Sequence, residues 1–512
     1  MLTTVSSMSA HSSQLQRWLV TITAIASGVA VTLAITVINT AIPDIMGYFG
    51  MGQITAQWMS TAFLAAMTST MLMIDWLDKA VGLRFTFISV LSLFVFASLL
   101  GAISPNEDIL ILSRVLQGAA AGIVQPISML AMFRVFPPEQ RGKAMGIFAM
   151  GTVLAPAVAP LFGGIVVDLY GWRHTFYIAL PFALIGLVLS PFTLPGRDRS
   201  IETPKFDWLG FTLMLIITVG FLTAFVNGQR LGWSSLEVVL LLWVSIFTLI
   251  IFILWELRAK EPLIELRLFL NLRFASAAIV SFLFGVSIFV TTYMVPLFVQ
   301  TVQGLSATQA GLILLPQVLL ALLFPLGGYL SDRMSISLLA SLGMALIAIS
   351  ALLTSFADLN TSFWFLTFWV FVGRFGNIFV FPAVSVGALR PVPANMVAQA
   401  SGTVNCMRQL GGAFGVNLFA VFLERRTQFF SEMLTPFQNA GNTQTMELLD
   451  KVKDLLSHAG LPLLEQAPMA LGYLDKVIYV QSNMYGFKDI FVVLFIVCAL
   501  SIIVALAMKS GR

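Results

Sequence analysis

Three arginines, Arg114, Arg374 and Arg408, lie inside long apolar stretches of the chain, and none of those stretches carries a carboxylate at comparable depth. A charge held near the centre of a bilayer costs several kcal/mol or more, so such side chains turn toward an internal cavity or toward polar partners. Gln117, Asn377, Asn405 and Gln409 sit on the same stretches as neutral partners. The alternative role is a plain structural one, each guanidinium satisfied by carbonyls and amides. Carboxylates that could titrate are confined to the ends of the apolar stretches. Asp44, Glu107 and Asp168 fall at one side, and Asp75, Asp78 and Asp332 at the other. Asp75 stands one helical turn from Lys79, on the same helix face. His174, beside Arg173, has an ordinary pKa suited to proton exchange, but its edge position is that of a surface histidine.

The elements that must hold these groups are membrane helices. The 512 residues are 58% hydrophobic and 10% charged, with a mean hydropathy of +0.93, far from soluble globular values. A span needs about 20 mostly apolar residues, and fourteen segments qualify, near 18–42, 55–77, 85–104, 109–132, 143–167, 174–194, 207–226, 236–256, 273–300, 309–330, 336–356, 362–387, 398–423 and 487–508. With the amino terminus in the cytoplasm, seventeen Lys and Arg residues fall on that side, against Arg173 and Arg230 in the short outer loops. That bias favours an even span count and two cytoplasmic termini. The pI near 9.1 belongs to this orientation pattern rather than to nucleic-acid binding. Cys406 and Cys498 both lie in apolar spans and form neither a disulfide framework nor a metal-ligand spacing. No signal peptide, phosphate-binding loop, metal cluster or nucleophile elbow is evident, so neither a cofactor nor bound ATP is expected.

Spans 1–6 and 9–14 repeat one another. Asp75-Trp76-Leu77-Asp78-Lys79-Ala80-Val81-Gly82 follows the second span of the first block, and Gly328-Tyr329-Leu330-Ser331-Asp332-Arg333 follows its counterpart. Each fourth span holds an arginine, Arg114 or Arg374. Each fifth span is rich in glycine, with Gly151, Gly163 and Gly164 in one and Gly411, Gly412 and Gly415 in the other. The expected organisation is an N-terminal six-helix half (1–194), two inserted helices with linkers (195–260) and a C-terminal six-helix half (261–512). Its outer insertion, 424–486, is far longer than usual between packed helices. Within it Leu448, Leu449, Val452, Leu455 and Leu456 recur at helical spacing among charges, which predicts an amphipathic helix.

Several motifs resemble the major facilitator superfamily, in particular its 14-span multidrug-efflux branch of the EmrB and QacA type. Leu33-Ala34-Ile35-Thr36-Val37-Ile38-Asn39-Thr40-Ala41-Ile42-Pro43 is similar to that branch's first-span signature. Arg114 with Gln117 and Gly118 matches the fourth span, and Ala155-Pro156 through Ala159-Pro160 to Gly163-Gly164 the antiporter motif of the fifth. Trp172-Arg173 to Pro181 follows, and Arg408-Gln409 to Gly415 matches the thirteenth span. The resemblance covers nearly the whole chain. It implies an all-helical facilitator fold that exports small amphipathic compounds by alternating access, driven by protons, from a bacterial inner membrane. It also implies docking to a periplasmic adaptor (a membrane fusion protein) and, through it, an outer-membrane channel.

Three departures from the pattern are specific. Ala34 stands where the first-span signature has its aspartate. In the first loop motif Asp75 replaces a glycine and Lys79 takes the aspartate slot, whereas Asp332-Arg333 in the second half keep the pattern. Ala159 replaces a glycine before Pro160. Proton coupling is therefore expected at Asp75, assisted by Arg114, with Asp44 a further candidate. Expected in the cavity are Asn39, Gln117, Phe289, Tyr293, Arg374, Asn377, Asn405, Met407 and Arg408, soft and aromatic side chains suiting varied ligands. Gating is expected at Asp78, Lys79, Gly82, Pro156, Pro160, Gly163, Gly164, Asp332, Arg333, Gly411, Gly412 and Gly415, where bare backbones pack closely and prolines loosen the helix. With no deep carboxylates, anionic or neutral lipophilic substrates are favoured over cations. A transporter of one specific metabolite, uncoupled or using another ion, is the main competitor, followed by a membrane scaffold or sensor.

Overall fold

A computed structural model describes residues 14–197, 203–314, 316–439 and 441–508, and among them it contains only helices and connecting turns. The first half comprises α1 (Gln14–Phe49), α2 (Gln53–Thr70) continuing through a tight turn into α3 (Ile74–Ala80), α4 (Leu83–Ala102), α5 (Glu107–Val135), α6 (Arg141–Tyr170) and α7 (Leu180–Thr193). The inserted pair is α8 (Trp208–Leu231) and α9 (Leu236–Glu256). The second half runs α10 (Leu272–Thr301), α11 (Ala307–Leu314), α12 (Pro316–Ala321), α13 (Phe324–Arg333), α14 (Ile336–Thr354), α15 (Phe363–Leu389), α16 (Val397–Leu434), α17 (Thr443–His458) and α18 (Leu463–Leu506).

Twelve stretches are long and apolar enough to cross a membrane, and Gln309–Ala321 with Phe324–Arg333, bent by 50°, make a thirteenth when taken as one span. The 30-residue α6 occupies the place of the expected fifth span. The chain is a multi-pass membrane protein. The helices start where the sequence offers oxygen caps: Asn106, Asp207, Ser235 and Ser335 each accept a main-chain N–H of the first turn. Gly82 and Gly171, at φ +87° and +85°, make turns that only glycine enters without strain.

Residues 14 and 508 lie on one side of the bundle, here called the terminal face. That face is shut by contacts between the halves. Asp332 of α13 accepts the main-chain N–H groups of Gly142 (2.7 Å) and Lys143 (2.9 Å) at the start of α6, a carboxylate placed on a helix N-terminus. The two backbones touch: a methyl group on Gly142 would collide with Ser331 and the Gly328 carbonyl, and one on Gly146 with the Phe324 carbonyl. Deeper in the bundle Ser401 Oγ donates to the Pro126 carbonyl (3.0 Å) and Asn405 Nδ2 to Met129 Sδ (3.4 Å).

The expected outer insertion is more ordered than a loop. α16 continues to Leu434 and α18 begins at Leu463, so both helices extend past the bilayer and carry α17 between them. The amphipathic helix is present, but its apolar stripe faces inward: Leu449 packs with Ala470, Leu474 and Ile478 of α18, joined by Leu434, Leu448 and Val452. Only Leu455 points out, at 69% exposure.

Candidate functional site: the cavity between the halves

Toward the face opposite the termini the halves part around a cavity of about 700 Å³. α1 contributes Ile42, Pro43 and Met46. From α2 come Ala56, Ser60, Thr61 and Leu64, and from α8 Leu222 and Val226. α10 adds Phe289 and Tyr293, and α16 adds Gln409, Gly412, Ala413, Val416 and Asn417. Among the described residues no charged side chain lines it. Polarity comes from hydroxyls and amides, and Ser60 also reaches Asn39, which is exposed one turn from Pro43. A volume of this size with mostly apolar walls and a few directional polar groups is the usual character of a small-molecule site.

Of the residues expected in a cavity, Phe289 and Tyr293 line this one; Gly412, expected at the gate, lines it too and lies bare against the Phe289 ring. Arg374, Asn377, Asn405, Met407 and Arg408 do not line it. Arg408 turns away, donating to Asn405 Oδ1 (2.6 Å) with its guanidinium 4.9 Å from the Phe381 ring centre. Arg374 is 8% exposed and donates Nη2–H to Thr292 Oγ1 at 2.7 Å, next to Tyr293, while its Nε–H is buried without a partner. Exposed guanidinium charge on the cavity wall would be costly beside so many apolar atoms, and these neutral partners keep it in the helix packing.

Arg114, 2% exposed, is held entirely within the first half. Its guanidinium donates to Gln117 Oε1 (2.7 Å), to the Ala34 carbonyl (3.2 Å) and to the Met59 carbonyl (3.2 Å). Gln117 passes the network to Ser98 Oγ at 2.7 Å. Gly118 lets α5 press onto the Phe63 carbonyl, and the Phe63 ring then lies 4.3 Å from the Arg114 guanidinium carbon, a desolvated cation–π contact. Gln117 therefore orients Arg114 and does not line the cavity.

At the terminal face Asp75 pairs with Lys79 at 2.7 Å, as the one-turn spacing required, and Asp75 Oδ1 is buried without a hydrogen bond. Asp78 makes two bonds to Arg134, at 2.9 and 2.5 Å, so the acidic role in this loop falls one residue before the motif slot that Lys79 occupies. Arg333 stacks on Tyr329. Asp44 is exposed near the cavity rim.

Glycines of the expected gate divide by location. Gly151 meets Ile25 and Gly163 meets Thr40, both on α1, while Gly164 faces open space. Gly411 and Gly415 meet Phe282 and Val286 of α10. Gly151, Gly163, Gly411 and Gly415 thus knit helices inside one half, and Gly82 packs against Arg197. The side chain of Pro160 lies outside the described residues. Contacts between halves use Gly328, which opens the second loop motif, together with Gly142 and Gly146, which the sequence reading passed over although Gly142 immediately follows Arg141 at a span start.

A family model described as Major Facilitator Superfamily matches residues 24–416. The chain belongs to the major facilitator superfamily. Among superfamily relatives, Multidrug export protein EmrB of Escherichia coli (strain K12) is 27% identical over 464 residues, covering 89% of this chain and 88% of its own length. Multidrug resistance protein 3 of Bacillus subtilis (strain 168) is 30% identical over 410 residues, covering 78% and 79%. The crystal structure of the human organic anion transporter MFSD10 (TETRAN) aligns with a TM-score of 0.58 at 13% identity over 95% of this chain and 100% of its own, which shows a shared facilitator fold. The chain is thus a facilitator-type transporter, in a membrane, for small molecules.

Proposed function

We propose that this transporter exports lipophilic compounds of several shapes by alternating access, and that the structure corresponds to the state open to the outside. The observation that carries the reading is the uncharged cavity at Phe289, Tyr293, Gln409 and Asn417, above a terminal face closed by Asp332 on α6. The EmrB and Multidrug resistance protein 3 relatives support efflux of more than one compound. The basic-residue bias supports placing the terminal face in the cytoplasm of a bacterial inner membrane.

Neutral lipophiles suit this wall best, because an ion would lose hydration without gaining a charge partner. Anionic amphipaths are the second reading, favoured by the buried, unpaired Nε–H of Arg374 one residue layer behind Thr292 and Tyr293. Coupling to protons is assigned to the terminal face, where Asp75 keeps one oxygen buried and unpaired beside Lys79, with Arg114 as an organiser within the same half. Proteoliposomes with a pH gradient test both parts. Substrate-dependent proton flux, lost in Asp75→Asn with binding retained, is expected. An unchanged proton-to-substrate ratio in that variant removes Asp75, and no proton flux in the native protein removes coupling.

The resemblance to EmrB-type pumps implies an adaptor, but the apolar stripe of α17 is covered by α18. With Leu448, Leu449 and Val452 packed on α18, any adaptor contact must use the polar outer surface of α17 and the projecting ends of α16 and α18.

A further inference from the structure

The inserted helix pair holds a buried carboxylate that the sequence reading, in finding no acid within the spans, left out. Glu256, the last residue of α9, is 3% exposed. Its Oε2 accepts the Ile264 main-chain N–H at 3.2 Å, whereas Oε1 is sealed from solvent and has no hydrogen-bond partner. Facing it is Asp207, which caps α8 by accepting the Gly210 N–H (2.9 Å) and the Trp255 indole N–H (3.0 Å to each oxygen). Gly210 stands between the two acids: a methyl group on its Cα would come within 2.6 Å of Glu256 Oε1 and collide with Asp207 Oδ2. The carboxylates therefore look at one another across a bare glycine. The further charged group that acts on Glu256 is Glu265 of the following linker, again an acid. Among the described residues no cation pairs with Asp207 or Glu256, the nearest linker ion pair being Glu265 with Arg267.

We propose that Glu256 and Asp207 form a proton-binding site in which one proton resides on Glu256 Oε1 and is donated toward Asp207 Oδ2. Two carboxylates this close in a poorly solvated place do not both ionise. Asp207 already accepts from two donors, the Gly210 N–H and the Trp255 indole N–H; Glu256 Oε1 has none, and an O–H there becomes the missing donor. A hard metal cation would demand about six oxygen ligands, more than two carboxylates closing on Gly210 supply.

The site is wired to the gate. Glu256 holds Ile264, and the adjoining Pro262 and Leu263 carbonyls accept from Gln399 Nε2 at 2.8 and 3.2 Å. Gln399 lies in the first turn of α16, whose next turns close against Pro126 and Met129 of the other half. Loss of the proton sets Glu256 against Asp207 and strains the linker that clasps α16, so proton release at the inserted pair favours opening of the terminal face. This does not depend on Asp75 carrying transport coupling.

Infrared titration of the purified full-length protein in lipid nanodiscs tests it. The native protein at about neutral pH is expected to show a protonated-carboxyl C=O absorption, one carboxyl of which disappears in Glu256→Gln, a change that preserves the acceptor for Ile264. In Asp207→Asn, which retains the helix cap, that absorption is expected to titrate away at lower pH, since the neighbouring charge is gone. If Glu256→Gln fails to accumulate, the Asp207→Asn shift alone decides. A native spectrum without a protonated carboxyl at neutral pH, or one that neither substitution alters, overturns the proposal.

Discussion

The guanidinium of Arg114 donates to the main-chain carbonyl of Ala34 at 3.2 Å. The residue at which the family pattern places an acid is thus already in contact with the arginine, through its backbone. A small void of about 10 Å³ remains beside them, bounded by Val37, Ile38, Thr175 and Phe176, roughly the room of one water. Ala34→Asp is expected to place a carboxylate against Arg114 with modest repacking of those neighbours. The variant should fold, because the new charge is paired where it is buried. Its export of lipophilic cations, measured against the native protein in inverted vesicles, should rise several-fold while neutral substrates change little. Absence of any cation gain would separate Ala34 from substrate charge selection.

Gly142→Ala addresses the closed face. Its methyl group has no room beside Ser331, the Gly328 carbonyl and Asp332 Oδ1 at 2.7 Å, so the closed arrangement is disfavoured and the population moves toward the form open at the terminal face. A cysteine at Ser401, buried between the halves, should then react several-fold faster with an impermeant thiol reagent applied from that side. The measurement is made in a Cys406→Ser background, because Cys406 faces the Thr68 carbonyl of the other half and would open with it; Cys498 is buried. Asp332→Asn should act in the same direction but less, since a charge at a helix N-terminus contributes only about 0.3–1 kcal/mol. Equal labelling in native and variant proteins would contradict the assignment of the latch.

These two sites show what the amino-acid string could and could not reveal. Helical spans and the one-turn Asp75–Lys79 pair follow from periodicity and local spacing, and both appear in the structure. Which way an interior arginine turns depends on the partner helix: Arg408 was expected in the cavity and instead finds Asn405 and Phe381. The inter-half role of Gly142 was hidden for the same reason, because its partner Gly328 is remote in sequence. Glu256 was not singled out in the sequence, because the linker residue that folds back onto it, Ile264, makes its contact only in the tertiary structure.

The cavity wall predicts a split between substrates. Gly412→Leu has no room beside the Phe289 ring, which a Cβ would already meet at 2.5 Å, so it should push that ring across the cavity and lower export of bulky neutral lipophiles by about tenfold, the effect of losing roughly 1.4 kcal/mol of binding. Arg374→Gln should leave neutral export nearly unchanged, because the guanidinium sits behind the wall, bonded to Thr292. If Arg374→Gln instead reduces anion export selectively at equal expression, the second reading of the substrate gains over the first. Uptake of one neutral and one anionic fluorescent probe into inverted vesicles reads both at once.

The outer unit separates packing from docking. Leu449 is buried against α18 and Leu455 is exposed, although both belong to the same predicted stripe. Leu449→Ser removes a packed side chain and leaves a hydroxyl in its place, a loss of about 2–5 kcal/mol to the local unit; α17 should then be cut rapidly by protease added from the outer side. Leu455→Ser should leave the cleavage rate unchanged. A cysteine at Ser457 should label in intact cells or spheroplasts with an impermeant reagent, since the outer unit is continuous with α16 and α18 beyond the bilayer. Labelling only after lysis of cells containing folded protein would invert the orientation. Protection of α17 equal to native in Leu449→Ser would mean that the stripe is not what anchors it.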